Sequence, residues 1–169
     1  MDTFFEQIIS VKKTGKEIAY ILGIWFAAFI LCALAFLFPI LGSLTPLLIA
    51  GIIFGAFKLT VLFNVEYEYI ITNGTMDIDK ITNKSSRKRL HSFELPNVSR
   101  IEKFNRGILN GINQKEVLFA CNPEDENAYF LVAEKEGKKA TYLVLSPDER
   151  IKSAMVKFIP RFISNSAFK

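Results

Sequence analysis

The chain has 169 residues, 21 Lys and Arg against 17 Asp and Glu, a net charge of +4 and a pI near 9.0. Mildly basic and mixed in sign, it lacks the dense cationic footprint of a nucleic-acid binder. Two cysteines, Cys32 in an apolar run and Cys121 at the end of a predicted strand, exclude a disulfide framework and a converging metal site. That usage fits a reducing cytoplasm.

Residues 1–17, MDTFFEQIISVKKTGKE, place Phe4, Phe5, Ile8, Ile9 and Val11 at roughly helical spacing. The spacing predicts an amphipathic helical arm, which either lies in the lipid headgroup region or packs on a folded domain. No Asp, Glu, Lys or Arg then occurs between Glu17 and Lys58. Two apolar runs, about 18–38 and 46–63, are joined by the uncharged link PILGSLTP. This length of apolar chain predicts a transmembrane helical hairpin over 18–63. A cleaved signal peptide is disfavoured because a second apolar run follows the first.

Lys12, Lys13 and Lys16 precede the first span, and Lys58 with the later cations lies in or after the second. The positive-inside rule therefore predicts a multi-pass protein of the cell membrane with both termini cytoplasmic. Lys58, in the last turns of the second span, is expected to snorkel to the interface. Ala19, Gly23 and Ala27 in the first span, and Gly51 and Gly55 in the second, recur every four residues. Small residues let helix backbones approach, so these five are expected to pack the spans on each other or to form a homo-oligomer.

From Asn64 the period changes to two. VEYEYIIT and TMDIDKIT flank Asn73-Gly74, the strongest short hairpin signal. The implied register puts Tyr67, Tyr69, Ile71, Met76 and Ile78 on one face and opposes Glu68 to Asp79, with Glu66 and Asp77 nearby. Opposed like charges are unfavourable. The next predicted strand, RKRLHSFE, brings Arg87, Lys88 and Arg89 alongside to neutralise them. Those cations, with Lys84, are also the candidates for binding anionic lipid or an acidic protein partner. A calcium site at the four carboxylates lacks the loop spacing of an EF-hand.

VSRIEKF, EVLFAC, AYFLVAEK and KATYLVL predict four more strands, with a tight EGK turn between the last two. Ser146, Pro147 and Glu149 read as a capping box opening a helix whose stripe is Ile151, Ala154, Met155 and Phe158. Pro160 ends it, and residues 161–169 read as a loose tail.

Seven antiparallel strands and a carboxy-terminal helix give a domain over 64–160 in the order of a pleckstrin-homology-like barrel. Here YIITNGTMDIDKITNKSSRKRLHSFELPNVSRIEKF resembles the first half of bacterial PH-like domains that follow membrane spans. Tyr69, Asn73, Gly74, Arg87, Arg89, Leu95, Pro96, Val98 and Ile101 carry the likeness. The whole chain is also similar to a small two-span membrane family of Gram-positive bacteria to which no activity is assigned. The expected fold class is thus an α+β membrane protein, a two-helix hairpin followed by a PH-like β-barrel.

No catalytic constellation accompanies it. His91 has no nucleophile beside it in sequence, and Gly107 and Gly111 lack the context of a phosphate loop. The chain is expected to be no enzyme and to need no cofactor or metal. Its expected function is a membrane-anchored binding or scaffold module contacting lipid or a protein partner. The alternative is an accessory subunit of a membrane assembly, oligomerising through the GxxxG-bearing hairpin.

Overall fold

The computed structural model describes residues 3–37, 39–134, 139–165 and 167–168. The expected EGK turn, 136–138, lies outside them. By its contacts the chain divides into two units: Met1–Val11, Glu66–Ile81 and Ser86–Lys169 form one, and Lys12–Val65 with Thr82–Ser85 the other.

The first unit holds the eight strands found among the described residues. β1 (Phe4–Ser10), β2 (Val65–Thr72), β3 (Thr75–Thr82) and β4 (Ser86–Glu94) form one sheet in that order. β5 (Val98–Lys103), β6 (Val117–Phe119), β7 (Tyr129–Ala133) and β8 (Thr141–Leu145) form a second, ordered β5-β7-β8-β6. Two separate four-stranded sheets replace the expected closed barrel of seven antiparallel strands. The pairing of β6 explains part of the difference. It runs parallel to β8, with Leu118 against Leu143, so β6 and β7 form no hairpin across the NPEDEN turn. Local alternation marks a strand but not its neighbour, and the long connection before β6 leaves that choice to packing.

A second correction concerns the amino-terminal arm, which is a strand and not a helix. β1 pairs antiparallel with β2, Phe5 against Ile71 and Ser10 against Glu66. Apolar doublets at Phe4-Phe5 and Ile8-Ile9 suit either period, and the edge of β2 decides by offering a ladder of hydrogen bonds. Phe5 and Ile9 then face the core, while Phe4 and Ile8 stay exposed.

The turn between β2 and β3 has φ 49° at Asn73 and 87° at Gly74, both positive as a type I′ hairpin demands. A Cβ on Gly74 would come within 3.1 Å of the Phe158 ring, so close approach adds to the need for glycine there. The core lies between the sheets. Tyr69, Ile71, Met76 and Ile78 of the first meet Leu131, Leu143 and Leu145 of the second. The Tyr69 hydroxyl donates to Ala120 O at 2.7 Å and accepts from Ser146 N–H at 3.1 Å, satisfying two backbone groups inside the core. β7 is buried on both faces: Phe130 and Val132 belong to a smaller cluster against which Phe104, Ile108, Leu109 and Ile112, from the connection between β5 and β6, pack.

Helix α3 (Glu149–Phe158) buries Ile151, Ala154 and Met155 in the main core. Its N-cap is Asp148, whose carboxylate accepts from Ile151 N–H at 2.8 Å, and not Ser146. Ser146 is buried and its hydroxyl donates to Asp125 at 2.8 Å. Already occupied by a tertiary contact, Ser146 is replaced at the cap by the next residue able to do it. The expected loose tail also folds. α4 (Arg161–Ser164) follows Pro160, Ile163 and Ala167 are buried in the core, and Phe168 meets Tyr129 edge-on at 5.0 Å.

The second unit contains α1 (Gly15–Phe36) and α2 (Thr45–Val61), with a 3-10 stretch over Pro39–Leu44 between them. Thr14 and Glu17 form a reciprocal capping box at the start of α1. Pro46 sits in the first turn of α2, whose N-cap position is Leu44 and not Thr45. By length and composition α1, and the segment Gly42–Val61 that contains α2, are long and apolar enough to cross a membrane.

Candidate functional site

The acidic and basic strands of the first sheet come together as neutralisation requires. Glu68 on β2 is fully buried, and Arg87 on β4 donates to its Oε1 at 2.8 Å. Arg89 holds two carboxylates of β3, Asp77 at 2.9 Å and Asp79 at 3.0 Å. Asp79 is itself buried. Each guanidinium is a planar fork suited to such bridging, which a lysine would do less well. Hydrogen bonding to Asp79 pushes Arg89 up from its ordinary range. Burial pushes the Glu68 carboxyl up, a hydrogen bond with Glu6 on β1 adds to this, and Arg87 opposes both. Among the described residues, Glu68 Oε2 and Asp77 Oδ1 have no hydrogen-bond donor.

Of the four predicted contact cations, Arg87 and Arg89 therefore already hold buried or half-buried acids, keeping roughly half of each side chain exposed. Lys88 between them is exposed. Lys84 is placed elsewhere: with Asn83 it forms a turn of two positive-φ residues, 54° each, and belongs to the helical unit. Asn83 N–H donates to Asn64 O at 2.8 Å, fastening that turn to the chain just past α2.

Among the small residues of the spans, Ala27, Gly51 and Gly55 line an apolar groove of about 310 Å³ along α1 and α2. A Cβ added at Gly23, Gly51 or Gly55 would meet nothing within 4 Å, so no contact inside the chain demands glycine there. Ala19, Gly23 and Ala27 are exposed. The buried small residues are instead Ala28 and Ala35 of α1 and Ala56 of α2, one position round the helix from the sequence pattern in two cases. Lys58 lies with its ammonium 5.4 Å from the centre of the Phe54 ring, one turn back along α2.

A pocket of about 250 Å³ went unforeseen. His91, Ser92, Phe93 and Glu94 line it consecutively, so the edge of β4 rather than one of its faces forms the wall. Thr141 and Ala133 stand in the wall contributed by the second sheet. Burial lowers the His91 pKa, and the ring stacks on Phe93 at 6.0 Å. Only the pairing of sheets creates this space, so no sequence signal announces it. Cys121 is buried and its thiol is pushed up to about 12, chiefly by burial, which makes it unreactive while folded. Among the described residues no group of three or more His, Cys, Asp or Glu could hold a metal ion.

Among the described residues the basic strand β4 meets the acids of β2 and β3 as a set of ion pairs. Neither the curated proteins nor the solved structures contain a match to the chain. A family model does match it, the bacterial PH-like domain (DUF6106), over residues 1–165. Domains of this kind are typically non-catalytic scaffold and binding modules. Spanning both the strand before the helical hairpin and the sheets after it, the match shows that the chain belongs to the bacterial PH-like domain family DUF6106.

Proposed function

We propose that the chain is a membrane-anchored PH-like binding module. α1 and α2 cross the cell membrane, both termini lie in the cytoplasm, and the sheet unit is held at the inner face for a protein partner. One observation supports this above others: the large apolar side chains of the helices point outward. Phe26, Phe29 and Phe36 on α1 and Phe54 and Phe57 on α2 are each more than half exposed. In water such a surface would be an extensive apolar patch, whereas in lipid it is solvated. Anchoring then acts by concentration, holding the sheet unit near membrane-bound partners. Lys88 and the exposed flanks of Arg87 and Arg89 suit an acidic protein segment.

Topology tests this directly. In a Cys32→Ser chain, a cysteine introduced at Ser43 in the link should react with a membrane-impermeant maleimide on intact cells. A cysteine at the exposed Ser153 should react only after lysis. Extraction of the chain by alkaline carbonate, or equal labelling at both positions, would overturn the reading.

The outward-facing small residues favour a second reading, an accessory subunit that assembles through its helices. Gly55→Ile should then abolish crosslinked oligomers in membranes, and unchanged crosslinking would remove this alternative.

A further inference from the structure

The charge of this protein is divided unevenly between its two units. The helical unit carries Lys12, Lys13, Lys16, Lys58 and Lys84 against Glu17 alone, a surplus of +4 that equals the net charge of the whole chain. The sheet unit balances its other 16 Lys and Arg with 16 Asp and Glu. Its two best-placed cations, Arg87 and Arg89, spend their charge on Glu68, Asp77 and Asp79.

We infer that the anionic-lipid contact of this protein is a lysine collar on the helical unit, Lys12, Lys13, Lys16 and Lys84, and not the basic strand β4. The inference rests on α1 and α2 spanning the membrane and adds where, and by what, the lipid phosphate is held. Joined by the short link Pro39–Leu44 and lining one groove along their length, the two helices bring the start of α1 and the end of α2 to one end of the unit. Lys12, Lys13 and Lys16 flank that start. Lys84 joins them because Asn83 N–H ties its turn to Asn64 O, three residues beyond the last residue of α2. The link at the opposite end, Pro39–Leu44, has no charge at all.

These lysines are also free to act. All four are exposed, and among the described residues none belongs to an ion pair. Glu17, the one acid of the unit, accepts from Thr14 N–H at 2.7 Å and from the Thr14 hydroxyl at 3.0 Å, so it is committed to the helix cap. Lys58 is held one turn deeper, over Phe54, and stays outside the collar. Exposed lysines beside an apolar helix end are complementary to phospholipid phosphates, each engaged cation favouring an anionic lipid surface about fivefold. The neutral sheet unit is thereby left for a protein partner.

Trp25, the only tryptophan, lies on α1 and reports on the adjoining lipid. The full chain would be reconstituted into phosphatidylcholine bilayers containing brominated phosphatidylglycerol or brominated phosphatidylcholine. Brominated phosphatidylglycerol should quench Trp25 at a mole fraction about fivefold lower than brominated phosphatidylcholine. Lys12→Gln, Lys13→Gln, Lys16→Gln and Lys84→Gln together should bring the two lipids to parity, and Arg87→Gln with Arg89→Gln should leave the preference intact. Protection of Cys121 from thiol reagents checks that the arginine variant is folded, and Lys88→Gln replaces it if it is not. Equal quenching of the unaltered chain by both lipids overturns the collar while leaving the membrane spans standing. No quenching by either lipid overturns the spans as well. A preference lost with the β4 changes and kept in the lysine variant makes β4 the lipid reader and overturns the inference.

Discussion

Glu68 shows what one residue can impose on a sheet. A carboxylate taken out of water must be paired or protonated. Here Arg87 supplies one partner at 2.8 Å, and the other oxygen lies without a donor in a neighbourhood that includes Glu6 and Asp79. Because burial and the Glu6 hydrogen bond raise the Glu68 pKa, the folded protein holds more protons there than the unfolded chain. Stability should therefore fall as pH rises from the ordinary carboxylate range through the raised pKa. The contribution is fully present below the ordinary value. Glu68→Gln, which cannot ionise, should flatten this part of the pH–stability curve. Alkylation of Cys121 in a Cys32→Ser chain, a reaction that requires unfolding of the core around it, would measure it. An unchanged slope would mean that Glu68 is not the titrating group.

At the scale of the element, neighbours override local signals. The doublets of β1 permit a helix, and pairing with β2 makes them a strand. Ser146 has the sequence of a cap, but its hydroxyl serves Asp125 and Asp148 caps α3 instead. The carboxy-terminal stretch carries the clearest consequence. Polar Ser164 and Asn165 make it look loose, yet Ile163 and Ala167 occupy the core and Phe168 packs on Tyr129. Deleting residues 161–169 should cost roughly 2–5 kcal/mol, the range for emptying a large apolar site in a core. Denaturant unfolding followed by Cys121 protection checks the value, and a loss within ~0.5 kcal/mol would mark the stretch as surface.

Taken as a whole, the molecule is a β-sheet protein with a helical hairpin inserted into one of its β-hairpins. Ser10 and Glu66 are cross-strand partners, joined also by a 2.9 Å hydrogen bond from the Ser10 hydroxyl, although the entire helical segment lies between them in sequence. A chain beginning at Asn64 would lose β1. With it would go the Gln7 side chain, which donates to Ser146 O at 3.2 Å and accepts from Asp148 N–H at 2.8 Å. Replacing Val11–Val65 with Asn-Gly, the favoured two-residue turn, should instead close the β1–β2 hairpin directly. We expect that chain to be monomeric in aqueous buffer with Cys121 protected, and the Asn64 truncation to expose Cys121 and aggregate. Equal behaviour of the two would show that β1 is dispensable. Much of this was legible in the chain: apolar runs long enough for a bilayer, the Asn73-Gly74 turn, seven of the strands, and basic residues answering the acidic ones. Each rests on chemistry contained in a short window, or on a length set by the thickness of lipid. The partition into two sheets, the parallel placement of β6, the pocket beside His91, the folded tail and the transfer of Lys84 to the helical unit were not legible. They depend on which distant surfaces meet, and the free energy that selects among pairings belongs to the assembled core rather than to any one segment.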